Sequence, residues 1–224
     1  MKKAMTVVAG LLLTTTAQAA APTWAQMKVA TWNEVTTATH AEAGTLHIKS
    51  ATVAGLECWG AEATVGVGVQ PLMNVISDVA ATKSWSTAGI TQSELLGKVG
   101  ESIDYFEFLD VPGWTMSSDR FWFLRSVAVR EGEDQLFLWE RLVDGGAYAE
   151  RFKQVVAANP SAVEPPINVG AWWFSPRGEQ TFIRYYICSD TGGSIPSFVQ
   201  SAATKKTLPD TVGDLVREAK KRAK

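Results

Sequence analysis

Ser189–Lys224, SDTGGSIPSFVQSAATKKTLPDTVGDLVREAKKRAK, is a turn followed by one long amphipathic helix. Asp190, Thr191, Gly192 and Gly193 make the turn. Ser194 can cap the first free backbone donors, and Pro196 suits an opening helical turn, where its missing N–H is not needed. Ile195, Phe198, Val199, Ala202, Leu208, Val212, Leu215, Val216 and Ala219 then form an apolar stripe. Pro209 lacks a donor and predicts a kink. Lys205, Lys206, Arg217, Lys220, Lys221 and Arg222 load the far end with positive charge, which complements the helix dipole.

That stripe needs a surface to bury it, and the preceding sequence supplies strands. Runs at Glu94–Val99, Ser102–Leu109, Arg120–Arg130, Gln135–Val143, Asn168–Ser175 and Glu179–Cys188 are separated by turn signals such as Pro112-Gly113, Glu131-Gly132-Glu133 and Pro176-Arg177-Gly178. Further upstream the spacing predicts a helix over Trp24–Thr37, strands around Leu46–Lys49 and Leu56–Val67, and a helix over Pro71–Ala81. Consecutive strands on short turns pair antiparallel. The expected class is α+β, with an antiparallel sheet curved around the terminal helix. A long insert, Asp144–Pro166, interrupts the meander and carries a short helix expected from Ala147 to Ala158.

Lys2 and Lys3, an apolar stretch from Thr6 to about Thr16, and the small-x-small Ala17-Gln18-Ala19 read as a cleavable export leader over residues 1–19. The apolar part is shorter than the roughly 20 residues that span a bilayer; an uncleaved N-terminal anchor is the alternative. The expected mature domain is 20–224, and the expected location is the periplasm. Of 21 basic residues, Lys2 and Lys3 fall in the leader, leaving 19 against 23 acidic ones. That balance argues against nucleic acid as a partner. Nine tryptophans and nine phenylalanines are many for this length. Large aromatics fill cores and also line apolar pockets. The only histidines, His40 and His47, have no third ligand beside them, so no metal site is expected.

Several stretches resemble, in order, the START (steroidogenic acute regulatory protein-related lipid transfer) family. Thr82-Lys83-Ser84-Trp85 resembles the tryptophan after that family's first inner helix. Asp119-Arg120-Phe121-Trp122-Phe123-Leu124-Arg125 resembles its Arg-Asp-Phe strand with the first two residues swapped. Ser189-Asp190 through Gly192-Gly193-Ser194-Ile195-Pro196, with Thr207-Leu208-Pro209 and Leu215-Val216-Arg217, resembles its terminal helix. The resemblance runs from about Thr31 to Lys221. It implies a helix-grip fold, a deep tunnel holding one lipid or sterol-like molecule, a terminal helix serving as lid, transient membrane contact, a monomer and no cofactor.

The resemblance and the alternation of side chains along strands together nominate a site. Ile103, Tyr105, Glu107 and Leu109 share one strand face; Phe121, Phe123, Arg125, Val127 and Val129 share another. Glu107 and Arg125 are each one charge on an apolar stripe, and an unpaired buried charge is expensive. START members that bind sterols place an acidic–arginine pair in the tunnel at what look like these positions. Ligand contacts are therefore expected from Tyr105, Glu107, Phe121, Phe123, Arg125, Arg184, Tyr186, Phe198 and Ala202. A one-residue slip of register would move the charges to the other face. The insert is expected to cover a tunnel mouth or touch the membrane. In the implied sheet, the strand starting near Cys58 lies antiparallel to the one ending at Cys188, which leaves a bridge or two buried thiols as the alternatives.

The expected function is binding and carrying one apolar molecule without catalysis. A ligand sensor and an enzyme on the same scaffold are the alternatives. Asp190-Thr191-Gly192 matches a short aspartic-protease string, but that chemistry needs two such carboxylates. No Gly-x-Ser-x-Gly elbow, phosphate loop or zinc helix is present.

Overall fold

The computed structural model describes residues 20–113, 117–190, 192 and 197–224, with side chains from 205 onward in the last segment. The leader over 1–19, the caps at Ser194 and Pro196, and the side chains of Phe198 and Ala202 lie outside the described residues.

In chain order the elements are α1 (Trp24–Val29), β1 (Asn33–His40), β2 (Gly44–Val53), β3 (Leu56–Val65), α2 (Val69–Ser77), α3 (Thr82–Trp85), β4 (Ile90–Val99), β5 (Ser102–Leu109), β6 (Arg120–Glu131), β7 (Asp134–Arg141), α4 (Ala149–Ala158), β8 (Ile167–Arg177), β9 (Gln180–Asp190) and α5 (Ser197–Arg222). The strands form one sheet in the order β1-β2-β3-β9-β8-β7-β6-β5-β4. Every neighbouring pair is antiparallel. The sheet curves around α5, which is the α+β helix-grip arrangement.

The inner face and α5 make the main core. Leu208, Val212, Leu215, Val216 and Ala219 are all at most 3% exposed and pack with Leu46, Ile48, Ala61, Phe174 and Ile183. These are the helical positions whose spacing sets one apolar face. α5 runs through Pro209. At Gly213 the helix admits the His40 ring: a Cβ there would lie 2.0 Å from the imidazole. The basic end of α5 is largely neutralised, Lys220 by Glu42, Arg222 by Glu218 and Asp78, and Arg217 by Asp214.

The outer face is covered too, in two patches. α1 lies over a cluster of Met27, Ala51, Val53, Cys58, Ile167, Val169, Tyr186 and Cys188. Within it Cys58 and Cys188 are directly opposed across β3 and β9 and form a disulfide, with Cα atoms 4.3 Å apart. The helix of the insert, α4, covers Phe106, Phe108, Phe121 and Phe123. The insert therefore roofs the outer side of β5 and β6, and its expected place at a tunnel mouth is corrected. The reason is the apolar outer face of those strands, which needs a cover as much as the inner face does.

Two boundaries differ from expectation. The helix expected over Trp24–Thr37 stops at Val29, and Asn33–His40 is a strand. A capping box between Thr23 and Gln26 starts α1. The β-branched run Val35-Thr36-Thr37 favours the extended chain that β2 then pairs. The helix expected over Pro71–Ala81 ends at Ser77, and a short 3-10 turn at Val79–Ala81 leads into α3.

Candidate functional site

Between the inner face of the sheet and the helices lies a cavity of about 200 Å3. β5 contributes Tyr105 and Glu107, β6 Trp122 and Leu124, β7 Phe137 and Trp139, β8 Trp172, β9 Tyr185 and Ile187, α3 Thr82 and Trp85, and α5 Thr211. Strand alternation explains the set, because these residues share the inner pleat of adjoining strands. Two local features shape the wall. Trp139 lies over Gly170, its cross-strand partner, where a Cβ would sit 2.2 Å from the indole. The Trp139 indole N–H donates to Asn168 Oδ1 at 2.8 Å. Tyr185 packs between Trp172 and Trp139, with ring centroids 4.4 and 5.6 Å away.

Glu107 is the one carboxyl among the described lining residues, and none of them carries a positive charge. Burial pushes its carboxyl up to about 7, opposed by a hydrogen bond with the Thr82 side chain. Burial, then the charge of Glu107, also raises the hydroxyls of Tyr105 and Tyr185. Glu107 is half-buried and lines the cavity.

The expected Glu107–Arg125 pair is corrected. In the β5–β6 ladder Glu107 stands opposite Trp122, and Asp104 stands opposite Arg125. Arg125 donates to both carboxylate oxygens of Asp104, at 2.7 Å each, on the outer face. The side chain of Asp104 is fully buried and that of Arg125 is 34% exposed. The Tyr148 hydroxyl of the insert also hydrogen-bonds Asp104.

Phe121 and Phe123 belong to the same outer face, packed with Phe152 of α4, and do not line the cavity. Arg184 and Tyr186 are outer-face residues as well. The Arg184 guanidinium lies 3.8 Å from the Trp173 ring centroid and 4.7 Å from that of Phe182. Tyr186 stacks on Trp32 with centroids 4.0 Å apart, and its hydroxyl donates to Glu62. Of the nominated residues with described side chains, Tyr105 and Glu107 reach the cavity.

The expected site lacked Trp85, Trp122, Trp139, Trp172 and Tyr185. A signal for some of them was present: Tyr185 shares a strand face with Ile183 and Ile187, which is more apolar than the face of Arg184. β5 offered no such preference, since Asp104 with Phe106 and Phe108 is also one acid on an apolar stripe.

A groove of about 410 Å3 lies on the outer face beside Trp24, Val127, Leu138, Ile167 and Val169. Its arginines are already paired, Arg125 with Asp104 and Arg141 with Glu164. The inner cavity, whose described lining includes a carboxyl with no basic partner, is the stronger candidate. No described helix is long and apolar enough to cross a membrane. Among the described residues, no group of three or more His, Cys, Asp or Glu side chains could hold a metal ion.

Neither a protein-family model nor a curated protein sequence matches this chain. Solved structures do. A STAR-related lipid transfer protein fragment from Xanthomonas axonopodis aligns at 20% identity over 84% of this chain and 98% of its own, with a TM-score of 0.66. Human StAR-related lipid transfer protein 5 aligns at 10% identity over 89% of this chain and 92% of its own, with a TM-score of 0.71. The Zhui aromatase/cyclase from Streptomyces aligns at 12% identity over 75% of this chain and 95% of its own, with a TM-score of 0.56. The likeness establishes the fold as START-type.

Proposed function

We propose that this chain binds one lipid or sterol-like apolar molecule between the inner sheet face and α5, and carries it through the periplasm unchanged. The observation that carries this reading is the aromatic-lined cavity with its single uncompensated carboxyl, Glu107. Protein interiors are close-packed, and an apolar void with one convergent polar group is the usual form of a small-ligand site. Similarity in fold to proteins named for lipid transfer supports the reading. The Cys58–Cys188 disulfide fits an oxidising compartment, as export of the chain would provide. The cavity of about 200 Å3 is below the several hundred Å3 typical of such sites, so a whole lipid enters only as α5 and the sheet separate. In this reading the protein acts as a monomer and touches a membrane only during exchange. The test is mass spectrometry of apolar molecules extracted from the purified mature protein. One species near one per chain is expected; protein that purifies empty and takes up no lipid from vesicles ends the reading.

A second reading has one observation in its favour. A buried carboxyl held near neutrality beside two tyrosines is what general acid–base chemistry needs, and an aromatase/cyclase shares the fold. Recovery of a chemically altered molecule after incubation, lost in Glu107→Gln, would favour this enzyme over the carrier.

A further inference from the structure

Glu107, Trp122, Thr82 and Trp85, all with hydrogen-bonding side chains, line the inner cavity. Glu107 projects from β5, Trp122 is its direct cross-strand partner on β6, and α3 brings Thr82 to Glu107 and Trp85 to the cavity wall. The indole N–H groups of Trp85 and Trp122 are buried and have no hydrogen-bond partner. An indole nitrogen can only donate. A buried donor left unmade carries a free-energy penalty, and native proteins hold few of them. Two in the wall of one cavity is a concentration that packing alone does not explain.

One nearby acceptor is already engaged: Asn168 Oδ1 receives the Trp139 indole, while the Thr82 hydroxyl donates its proton to the Val79 carbonyl. The two unmet indoles leave this cavity with donors to spare. It is also free of positive charge among the described lining residues, so a phosphate or carboxylate would meet Glu107 with nothing to neutralise it.

We propose that the ligand carries an uncharged carbonyl oxygen at the end beside Glu107, placed to accept from the indole N–H groups of Trp85 and Trp122. The inference rests on the binding reading above and names the chemical class of its ligand. Both nitrogens are packed out of reach of water, so solvent does not satisfy them. A ligand that enters as α5 parts from the sheet lets the two rings turn about their own side-chain bonds and present their donors. Protonated Glu107 adds a third donor to the same oxygen, and its ionised form withdraws it.

A matched set of probes on one rigid tricycle tests this: fluorene, fluorenone and 9-aminofluorene, titrated into the delipidated mature protein. The expected result is fluorenone binding about tenfold more tightly than fluorene, the scale of one or two net hydrogen bonds. Trp85→Phe and Trp122→Phe should each cut fluorenone affinity several-fold. Fluorene affinity in those variants reports whether the cavity survives the substitution, and it should hold. Equal affinity for fluorene and fluorenone overturns the carbonyl inference and leaves the binding reading standing. Tightest binding of the amine overturns it in favour of a cationic ligand. Binding of none of the three removes the cavity reading itself.

Discussion

Asp104 and Arg125 form a bidentate ion pair across β5 and β6, with both N–O distances at 2.7 Å, on the face of the sheet turned away from the cavity. The acid that does face the cavity, Glu107, is three residues along the same strand and has no basic partner among the described lining residues. One strand thus separates two tasks. Asp104 fastens the outer layer, with help from Tyr148 of the insert, and Glu107 faces the cavity.

Arg125→Met should damage the fold and spare the site. The change strands a fully buried carboxylate at Asp104, and removing one partner of such a pair costs about 3 kcal/mol or more. Urea unfolding should show the loss, while the amount of bound apolar molecule per folded chain stays at the wild-type level. A drop in loading without a drop in stability would place Arg125 at the ligand after all.

Glu107 should make stability fall as pH rises. Its folded-state value is raised to about 7, from 4.5 as an ordinary carboxyl. Between those values the folded form holds the proton more tightly than the unfolded chain does, so stability declines with rising pH. The contribution is fully present below about pH 4.5 and has gone once pH passes about 7, a change of roughly 3 kcal/mol. Glu107→Gln should remove that slope. Urea midpoints of both proteins at about pH 5 and about pH 8.5 check it; parallel lines for the two proteins would contradict the buried, uncompensated carboxyl.

The disulfide should matter for stability and not for loading. It closes a span of 130 residues, and bridges over long loops typically add about 2–4 kcal/mol. Both cysteines sit at 0% exposure under α1, on the face of the sheet opposite the cavity. The double change Cys58→Ala, Cys188→Ala should lower the thermal midpoint by several degrees and keep the ligand. Titration of the denatured, unreduced wild type should find no free thiol.

Deleting Gly146–Ala162 should cause association, not faster ligand exchange. Without α4, four phenylalanines of the outer face, Phe106, Phe108, Phe121 and Phe123, lose their cover. Contiguous exposed apolar surface of that kind drives self-association. Light scattering should show oligomers, while ligand release from the soluble fraction keeps its wild-type rate. Faster release from monomeric protein would return the insert to the tunnel mouth.

Much of this fold is legible in the chain because it rests on local physics. The stripe Leu208, Val212, Leu215, Val216, Ala219 has helical spacing whatever it packs against, and strand alternation places Glu107 with Tyr105 and Arg125 with Phe123. Those pairings within single elements hold in the structure. Which strand face looks inward is a different kind of fact. β5 and β6 are covered on both sides, by α5 and its neighbours on one and by α4 on the other, so apolar residues occupy both faces and alternation loses its direction.

The register then decides the site. Glu107 meets Trp122 and Asp104 meets Arg125, so odd-numbered residues of β5 share a face with even-numbered residues of β6. Moving that ladder by one residue would bring Glu107 and Arg125 to the same face. The sequence by itself determined most of the elements, the antiparallel meander from β4 onward and the long terminal helix, since these follow from spacing and turn chemistry, but it continued α1 through the residues that form β1. Only the tertiary structure decided that the cavity is walled by tryptophans and tyrosines around a lone Glu107. That outcome depends on how two covered layers compete for the faces of one sheet, which no single strand encodes.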